Sequence, residues 1–135
     1  MKVVIDANII FSALLSKNSR YRELLFDEKY ELYSPNYVFL EIFKHKEKIL
    51  KCTKEPEEEV YGFIGNILKR ICFVNEELIS SENYILAYNL CKETDENDTP
   101  FVALTLEING CLLSGDTKLK KALKNKGFNR FLIFR

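Results

Sequence analysis

The chain has 135 residues, and its 20 basic side chains are balanced by 20 acidic ones. This length predicts a single domain, residues 1–135, that buries about two-thirds of its unfolded surface and needs no disulfide or structural metal to fold. The balanced charge excludes a protein that holds nucleic acid through bulk positive charge alone. Charged residues interrupt every apolar run well short of the roughly 20 residues of a membrane span, and no signal-like segment follows Met1. We therefore expect a cytoplasmic protein with no membrane partner.

The cysteines do not form a zinc-binding pattern. Cys52, Cys72, Cys91 and Cys111 never form a Cys-x-x-Cys pair, and His45 is the only histidine. A zinc site would therefore have to be built entirely from distant segments. We expect reduced cysteines that serve as small apolar side chains, which is typical of a reducing compartment.

The first half of the chain predicts a β-α-β unit followed by two helices. Residues 3–5 are apolar on successive positions, as in a strand that is central in its sheet and covered on both faces. Later segments show apolar residues at helical spacing. The predicted elements are a strand over 3–5, a helix capped by Asn18 or Ser19, a strand over 30–33, a helix over 37–51 and an amphipathic helix with apolar positions from Val60 to Ile71.

The second half repeats this alternation. It predicts a strand over 72–74, a helix over 80–92, a helix that starts near Asp98 with Pro100 in its first turn and ends at Gly110, a strand over 111–113, a helix over 117–126 and a last strand over 131–134. Strands alternating with helices indicate an α/β fold, a three-layer α/β/α arrangement with a central, mainly parallel sheet. The ligand crevice of such a sheet lies outside the carboxyl ends of its strands, where the strand order reverses.

Four acidic residues lie where this sheet would bring them to one edge. Asp6 and Asp116 follow strands, Asp98 opens a helix, and Glu41 lies in an early helix. Each has an ordinary explanation by itself, as an Asx turn, a helix cap or part of a polar helix face. Carboxylates about 4 Å apart repel each other by roughly 4 kcal/mol at an effective dielectric of about 20, so converging acids need a hard divalent cation or protonation. The joint pattern favours an active site.

In these residues the chain resembles the PIN-domain family of metal-dependent ribonucleases. The family pattern is an Asp after the first strand, a Glu in an early helix, an Asp that opens an apolar helix, and a Ser/Thr-x-Asp after a strand. The matching segments are Asp6-Ala7-Asn8, Glu41, Asp98-Thr99-Pro100-Phe101-Val102-Ala103-Leu104 and Ser114-Gly115-Asp116. The resemblance covers nearly the whole chain. It departs from the pattern where Asp95 and Glu96 crowd the third acid.

The resemblance implies a PIN-like fold, a Mg²⁺ or Mn²⁺ cofactor and hydrolysis of RNA phosphodiester bonds. Asp6, Asp98 and Asp116 are expected to ligate the metal directly or through water, and Glu41 to ligate it or to orient the attacking water. These four acids are the predicted catalytic residues of an endoribonuclease. The residues expected to support them or to contact the substrate are Asn8, Ser114 and Asp95.

The resemblance also implies partners. RNA is the expected substrate, and a role as the toxin of a toxin–antitoxin pair would add a small antitoxin protein or a second copy of the chain. Apolar side chains that suit either a partner surface or the core are Tyr21, Leu24, Leu25, Tyr61 and Phe63. Basic side chains that suit either a solvated helix face or a phosphate backbone are Lys44, Lys46, Lys48, Lys51, Lys120, Lys121, Lys124, Lys126 and Arg130.

The sequence argues against an aspartate-nucleophile phosphatase, which needs a second Asp two residues after the first, where this chain has Asn8. It also lacks the acidic pair near the first strand that a phosphorylatable receiver domain needs. A non-catalytic nucleic-acid or protein binding module with the same fold would use the acids as helix caps and would have no affinity for Mg²⁺. Calorimetric titration with a divalent metal distinguishes this module from an enzyme.

Overall fold

The computed structural model describes residues 1–16 and 19–133. The strands of this part of the chain are β1 (Lys2–Ile5), β2 (Glu31–Pro35), β3 (Ile71–Val74) and β4 (Cys111–Leu113). Its α-helices are α1 (Ala7–Leu15), α2 (Arg20–Leu25), α3 (Asn36–Lys44), α4 (Lys46–Cys52), α5 (Glu57–Arg70), α6 (Ser81–Cys91), α7 (Thr99–Ile108) and α8 (Thr117–Asn125). Among the residues described, none of these helices has the length and apolar character needed to cross a bilayer.

The strands form one parallel sheet in the order β3-β2-β1-β4. Strand β1 is central, and Val3, Val4 and Ile5 are fully buried, which confirms the prediction of a strand covered on both faces. The chain runs outward from β1 through β2 to β3 and then returns to add β4 on the other side of β1. This reversal of strand order places a crevice beyond the carboxyl ends of β1 and β4.

Helices flank the sheet, as predicted for a three-layer α/β/α fold. Helix α1 packs against α2, α3, α4 and α5, whereas α6 packs against α7. Helix α7 lies along β1, β2 and β4 and is buried continuously from Phe101 to Thr105. Because α7 is held so firmly against the middle of the sheet, its first residues have a fixed position beside the crevice.

The helix predicted over 37–51 is in fact two helices. Helix α3 begins at Asn36, and His45, with φ −103° and ψ 8°, separates it from α4. The prediction of one helix was wrong because the apolar positions keep helical spacing through the break. The buried residues on either side of it are Val38, Ile42 and Ile49.

The first helix of the chain was not predicted. Asp6 caps α1 by accepting a hydrogen bond from the Ile9 N–H, and the buried residues of α1 recur at helical spacing. They are Ile9, Ile10, Ala13 and Leu14. Ser19 caps α2 by accepting from the Tyr21 N–H at 3.3 Å, as predicted, and the other candidate cap, Asn18, lies outside the described residues.

The prediction of a regular last strand over 131–134 is wrong. Phe131 forms an isolated parallel bridge with Leu112. The Leu112 N–H donates to the Arg130 carbonyl at 2.8 Å, and the Leu132 N–H donates to the Leu112 carbonyl at 2.9 Å. Phe134 lies outside the described residues. The chain therefore pairs with the outer edge of β4 at one position.

Gly110 lies where the end of α7 meets β1. The helix ends at Asn109, which has a left-handed backbone conformation with φ 54°. The next residue must be glycine, because there is no room for a side chain at this position. A Cβ atom on Gly110 would lie 2.7 Å from the Lys2 carbonyl oxygen. We expect Gly110→Ala to lower the free energy of unfolding by about 1 kcal/mol, because the start of β1 must shift to admit the methyl group.

Urea unfolding of Gly110→Ala beside Gly62→Ala tests this expectation. Gly62 lies inside α5 with nothing within 4 Å of an added Cβ, so its replacement should stabilise the protein by about 0.5–1 kcal/mol through helix propensity. Equal stabilisation by both substitutions would show that the approach of Gly110 to Lys2 carries no cost.

Candidate active site

Asp6 connects β1 to α1 at the crevice. The residue is 6% exposed. Its backbone N–H donates to the Leu113 carbonyl at 3.4 Å, and its Oδ1 accepts from the Ile9 N–H at 3.1 Å. Burial raises the pKa of Asp6 above its ordinary value, although the nearby Ser114 hydroxyl and the Ile9 and Asn8 N–H groups favour the charged form. Asp6 is thus a fixed, buried carboxylate at the end of the central strand.

Asp116 follows β4 in a tight loop beside Asp6. The Ser114 Oγ accepts from the Asp116 N–H at 3.1 Å, and the Asp116 Oδ1 accepts from the Leu119 N–H at 3.0 Å, which caps α8. Ser114 is buried, whereas Asp116 is exposed. Ser114 therefore fixes the backbone of one acid while its hydroxyl lies near the other.

Asp98 precedes α7 without capping it. In the short 3-10 turn Glu96–Asp98, the Asn97 N–H donates to Asp95 Oδ1 at 2.9 Å. Asp95 thus caps this turn, and no backbone N–H of α7 bonds to the Asp98 carboxylate. The interpretation of Asp98 as a helix cap therefore has no support in the structure, and its carboxylate is available for another interaction.

The surroundings of Asp98 bring three of the four predicted acids together. Asp98 is half-buried, and burial raises its pKa from 3.8 to about 6, with the negative charges of Asp95, Asp6 and Asp116 adding to the shift. The charge of Asp116 also raises the pKa of Asp6. The three acids come from the ends of β1 and β4 and from the start of α7, as the strand-order reversal leads one to expect.

Glu41 lies farther from this group, on α3. Its Oε2 is 3.1 Å from His45 Nε2, and its side chain is 36% exposed. The charges of Glu41 and Asp98 both raise the pKa of the Tyr37 hydroxyl, so Tyr37 lies near both acids. The predicted residue Asn8 is exposed in the first turn of α1, next to Asp6.

Tyr37 and Glu76 are residues of this site that the sequence analysis did not identify. The Tyr37 N–H donates to Glu76 Oε1 at 2.8 Å, and the Tyr37 ring packs edge-to-face on Phe101 with centroids 5.7 Å apart. Burial and the charges of Asp98, Glu76 and Glu41 raise the pKa of Tyr37 far above its usual range. Both residues closely follow strands, β2 and β3. Residues that follow parallel strands gather at one edge of the sheet, so the reasoning that predicted Asp6 and Asp116 applies to Tyr37 and Glu76 as well.

The oxygen-rich donor set suits a hard divalent cation. Within residues 1–16 and 19–133, no three His, Cys, Asp or Glu side chains lie close enough together to bind one metal ion directly. Mg²⁺ usually keeps several water ligands and is bound through one or two carboxylates. The group formed by Asp6, Asp98 and Asp116 therefore fits a partly hydrated Mg²⁺ or Mn²⁺ ion.

Comparison with known proteins gives two findings. A family model described as PIN domain matches residues 4–130. The chain is also 29% identical over 123 residues to an uncharacterised protein of Methanocaldococcus jannaschii, a match that covers 88% of this chain and 73% of that protein. The segment that the family model matches contains all four predicted acids.

Proposed function

Because the chain belongs to the PIN-domain family, whose members are generally nucleases, we propose that it is a Mg²⁺- or Mn²⁺-dependent endoribonuclease that hydrolyses RNA phosphodiester bonds. The observation that carries this proposal is Asp98. Its half-buried carboxylate makes no capping bond and lies near two other carboxylates, with a pKa raised to about 6. Such crowding costs stability in the metal-free protein and is offset when a divalent cation binds.

The proposed roles follow from the position of each residue. Asp6, Asp98 and Asp116 would hold the ion, directly or through its water ligands. A bound ion would supply a water of lowered pKa and positive charge for the phosphate oxygens. Ser114 holds the backbone of Asp116. Glu41, farther away beside Tyr37, is suited to orient the attacking water rather than to bind the metal directly.

The remaining predicted residues have supporting roles in this proposal. Asp95 adds negative charge next to Asp98, which strengthens the attraction of the site for a cation. Asn8 is exposed in the first turn of α1, beside Asp6. Its amide can donate a hydrogen bond to a phosphate oxygen of the substrate.

A lysine groove on α8 supports nucleic acid as the substrate. It has a volume of about 400 Å³ and is lined by Thr117, Lys120, Lys121, Lys124 and Asn125. Helix α8 begins directly after Asp116, so the groove lies on the segment that carries one of the acids. Because the charge of the whole chain is balanced, such a local patch is the means by which it can bind a phosphate backbone.

A toxin role, with a small antitoxin or a second copy of the chain as partner, remains a prediction from the family resemblance. Of the apolar residues considered for a partner surface, Leu24 and Leu25 are buried in the core, whereas Tyr61 is 40% exposed. Expression of the protein alone tests the toxin role. Growth should stop with the wild type and continue with Asp6→Asn.

The second candidate function is a binding module that uses its acids only as helix caps. The capping bonds of Asp6 to Ile9 and of Asp116 to Leu119 favour it. These bonds are compatible with both functions, since each carboxylate has a second oxygen for a metal or its water ligands. Asp98, which makes no such bond, is not explained by this alternative.

Metal titration separates the two functions. We expect saturable binding of Mn²⁺ by the metal-free protein in calorimetry, because the three acids attract a cation together, and weaker binding by Asp98→Asn. Glu58→Gln, an exposed charge change in α5, is the control and should bind Mn²⁺ like the wild type. RNA cleavage should require Mn²⁺ or Mg²⁺ and stop when EDTA is added. The absence of both binding and cleavage would leave the binding module as the better account.

A further inference from the structure

Glu41 is bonded to the only histidine of the chain, His45, which lies four residues later. The His45 Nε2 atom is 3.1 Å from Glu41 Oε2. The two residues are also joined through the backbone, since the His45 N–H donates to the Glu41 carbonyl at 3.0 Å. A carboxylate accepts hydrogen bonds and does not donate them, so the imidazole donates through its Nε2–H in this pair. The bond occupies one carboxylate oxygen of Glu41 and leaves the other able to accept from a water.

Helix α1 fixes the His45 ring from a second direction. The ring packs edge-to-face on the Phe11 ring, with centroids 5.9 Å apart and planes at 84°. Both rings line a cavity of about 240 Å³, together with the buried side chain of Ile49 from α4. Helix α1 begins directly after its cap, Asp6. The imidazole therefore connects the carboxylate of Glu41 to the helix that Asp6 caps.

The break between α3 and α4 holds the backbone that carries this imidazole. His45 ends α3 and precedes α4, and the Ile49 N–H donates to the His45 carbonyl at 3.0 Å. Buried side chains anchor the chain on both sides of the break, Ile42 in α3 and Ile49 in α4. The position of the His45 ring is therefore determined by both helices and by α1.

An ordinary surface pair is the alternative explanation of this bond. Side chains four residues apart on a helix often contact each other, and exposed pairs add little to stability. The side chains of Glu41 and His45 are 36% and 42% exposed, so their bond contributes little to the fold. Its effect on Glu41 is larger, because a glutamate side chain has three rotatable bonds, whereas a carboxylate that orients one water must keep a single position.

We propose that His45 is a positioning residue, which holds the Glu41 carboxylate in the orientation that directs the attacking water toward the scissile phosphate. This inference rests on the proposed nuclease function and adds a residue to it. His45 itself contacts neither the ion nor the phosphate. Loss of its bond should therefore lower kcat and leave KM nearly unchanged, because the RNA and the ion are bound by other groups.

Substitutions of His45 that differ in reach test the proposal. Glutamine can place a donor nitrogen where the imidazole has Nε2, whereas the shorter asparagine cannot, and both keep a polar side chain at the break. We expect His45→Asn to lower kcat of metal-dependent RNA cleavage about tenfold with KM changed less than about twofold, and His45→Gln to retain most of kcat. In the background of Glu41→Ala, neither substitution should lower the residual kcat further, since the carboxylate on which His45 acts is gone.

A spectroscopic measurement reports on the bond without any cleavage. Because His45 is the only histidine, nitrogen-15 labelling of histidine gives the ring signals of this residue alone in a magnetic resonance spectrum. In the metal-free protein we expect a proton on Nε2 and a change of the Nε2 signal in Glu41→Ala, which removes the acceptor. The control Glu47→Ala, which removes an exposed acid of α4, should leave the signal unchanged.

The outcomes separate this proposal from the nuclease function. Equal kcat for wild type and His45→Asn, or a ring signal that Glu41→Ala does not change, would overturn the role of His45 and leave the nuclease in place. An equal loss of kcat from His45→Asn with and without Glu41 would also overturn it, because His45 would then serve the fold alone. Absence of metal-dependent cleavage by the wild type would contradict the nuclease function and, with it, the role of His45.

Discussion

Asp116→Asn is expected to lower the rate of metal-dependent RNA cleavage about 100-fold or more while leaving the fold intact. Asparagine caps a helix about as well as aspartate, so the bond from the Leu119 N–H, 3.0 Å long in the wild type, can persist. The substitution removes only the negative charge, so the oxygen becomes a weaker metal ligand. A large loss of cleavage with unchanged stability would therefore separate catalysis from capping.

Two further variants control this experiment. Asp116→Ala removes the cap as well as the charge and should lose both cleavage and about 1 kcal/mol of stability. Glu58→Gln removes a charge from an exposed position in the first turn of α5 and should cleave like the wild type. Cleavage rates are measured with labelled single-stranded RNA, and stability by urea unfolding. If wild type and Asp116→Asn cut equally, a contaminating nuclease is the source of the activity.

The part of the site that could be predicted from sequence is the part that parallel strands determine. Residues that follow such strands gather at one edge of the sheet whatever the details of the helices, and Asp6 and Asp116 do so. The alternation of strands and helices was enough to predict the parallel sheet and its helical layers. The central position of β1 followed from the apolar side chains of Val3, Val4 and Ile5.

The part that could not be predicted depends on tertiary packing. The break at His45 leaves the apolar spacing of the surrounding helices unchanged, so only the packing of α3 and α4 reveals it. The surroundings of Asp98 depend on which side chains its carboxylate faces. Three of the four residues 95–98 are acidic, so the sequence does not determine which of them joins Asp6 and Asp116. By contrast, α1 could be predicted, since Asp6 and Ile9 stand at the spacing of a capping bond, but Asp6-Ala7-Asn8 suits an Asx turn equally well.

Asp98→Asn is expected to raise the free energy of unfolding of the metal-free protein by about 1–2 kcal/mol at neutral pH. The pKa of Asp98 is raised from 3.8 to about 6 in the folded protein, so the folded state binds this proton more tightly than the unfolded state does. The unfavourable contribution of the carboxylate is absent below a pH of about 3.8, grows as the pH rises to about 6 and stays constant above it. The full linkage value is about 3 kcal/mol, and solvent screening of a half-buried group reduces it.

Urea unfolding of both proteins in EDTA across this pH range measures the effect. The difference in stability between Asp98→Asn and the wild type should grow as the pH rises from 3.8 to about 6. Asp95→Asn is a matched variant, since it removes the neighbouring charge that helps to raise this pKa but keeps a capping side chain. It should give a smaller gain. A difference that does not change with pH would contradict the assignment of the effect to the Asp98 carboxylate.

Addition of Mg²⁺ should then reverse the order of stability. Ligand at about 100 times its dissociation constant stabilises the folded state by about 2.7 kcal/mol, and Asp98→Asn, which lacks one carboxylate of the group, should gain less than the wild type. The wild type is expected to be the less stable protein in EDTA and the more stable one in saturating Mg²⁺. This reversal is expected only if the carboxylates that destabilise the metal-free protein also bind the ion. If the Asp98 carboxylate had only a structural role, the same protein would be the more stable one in EDTA and in Mg²⁺.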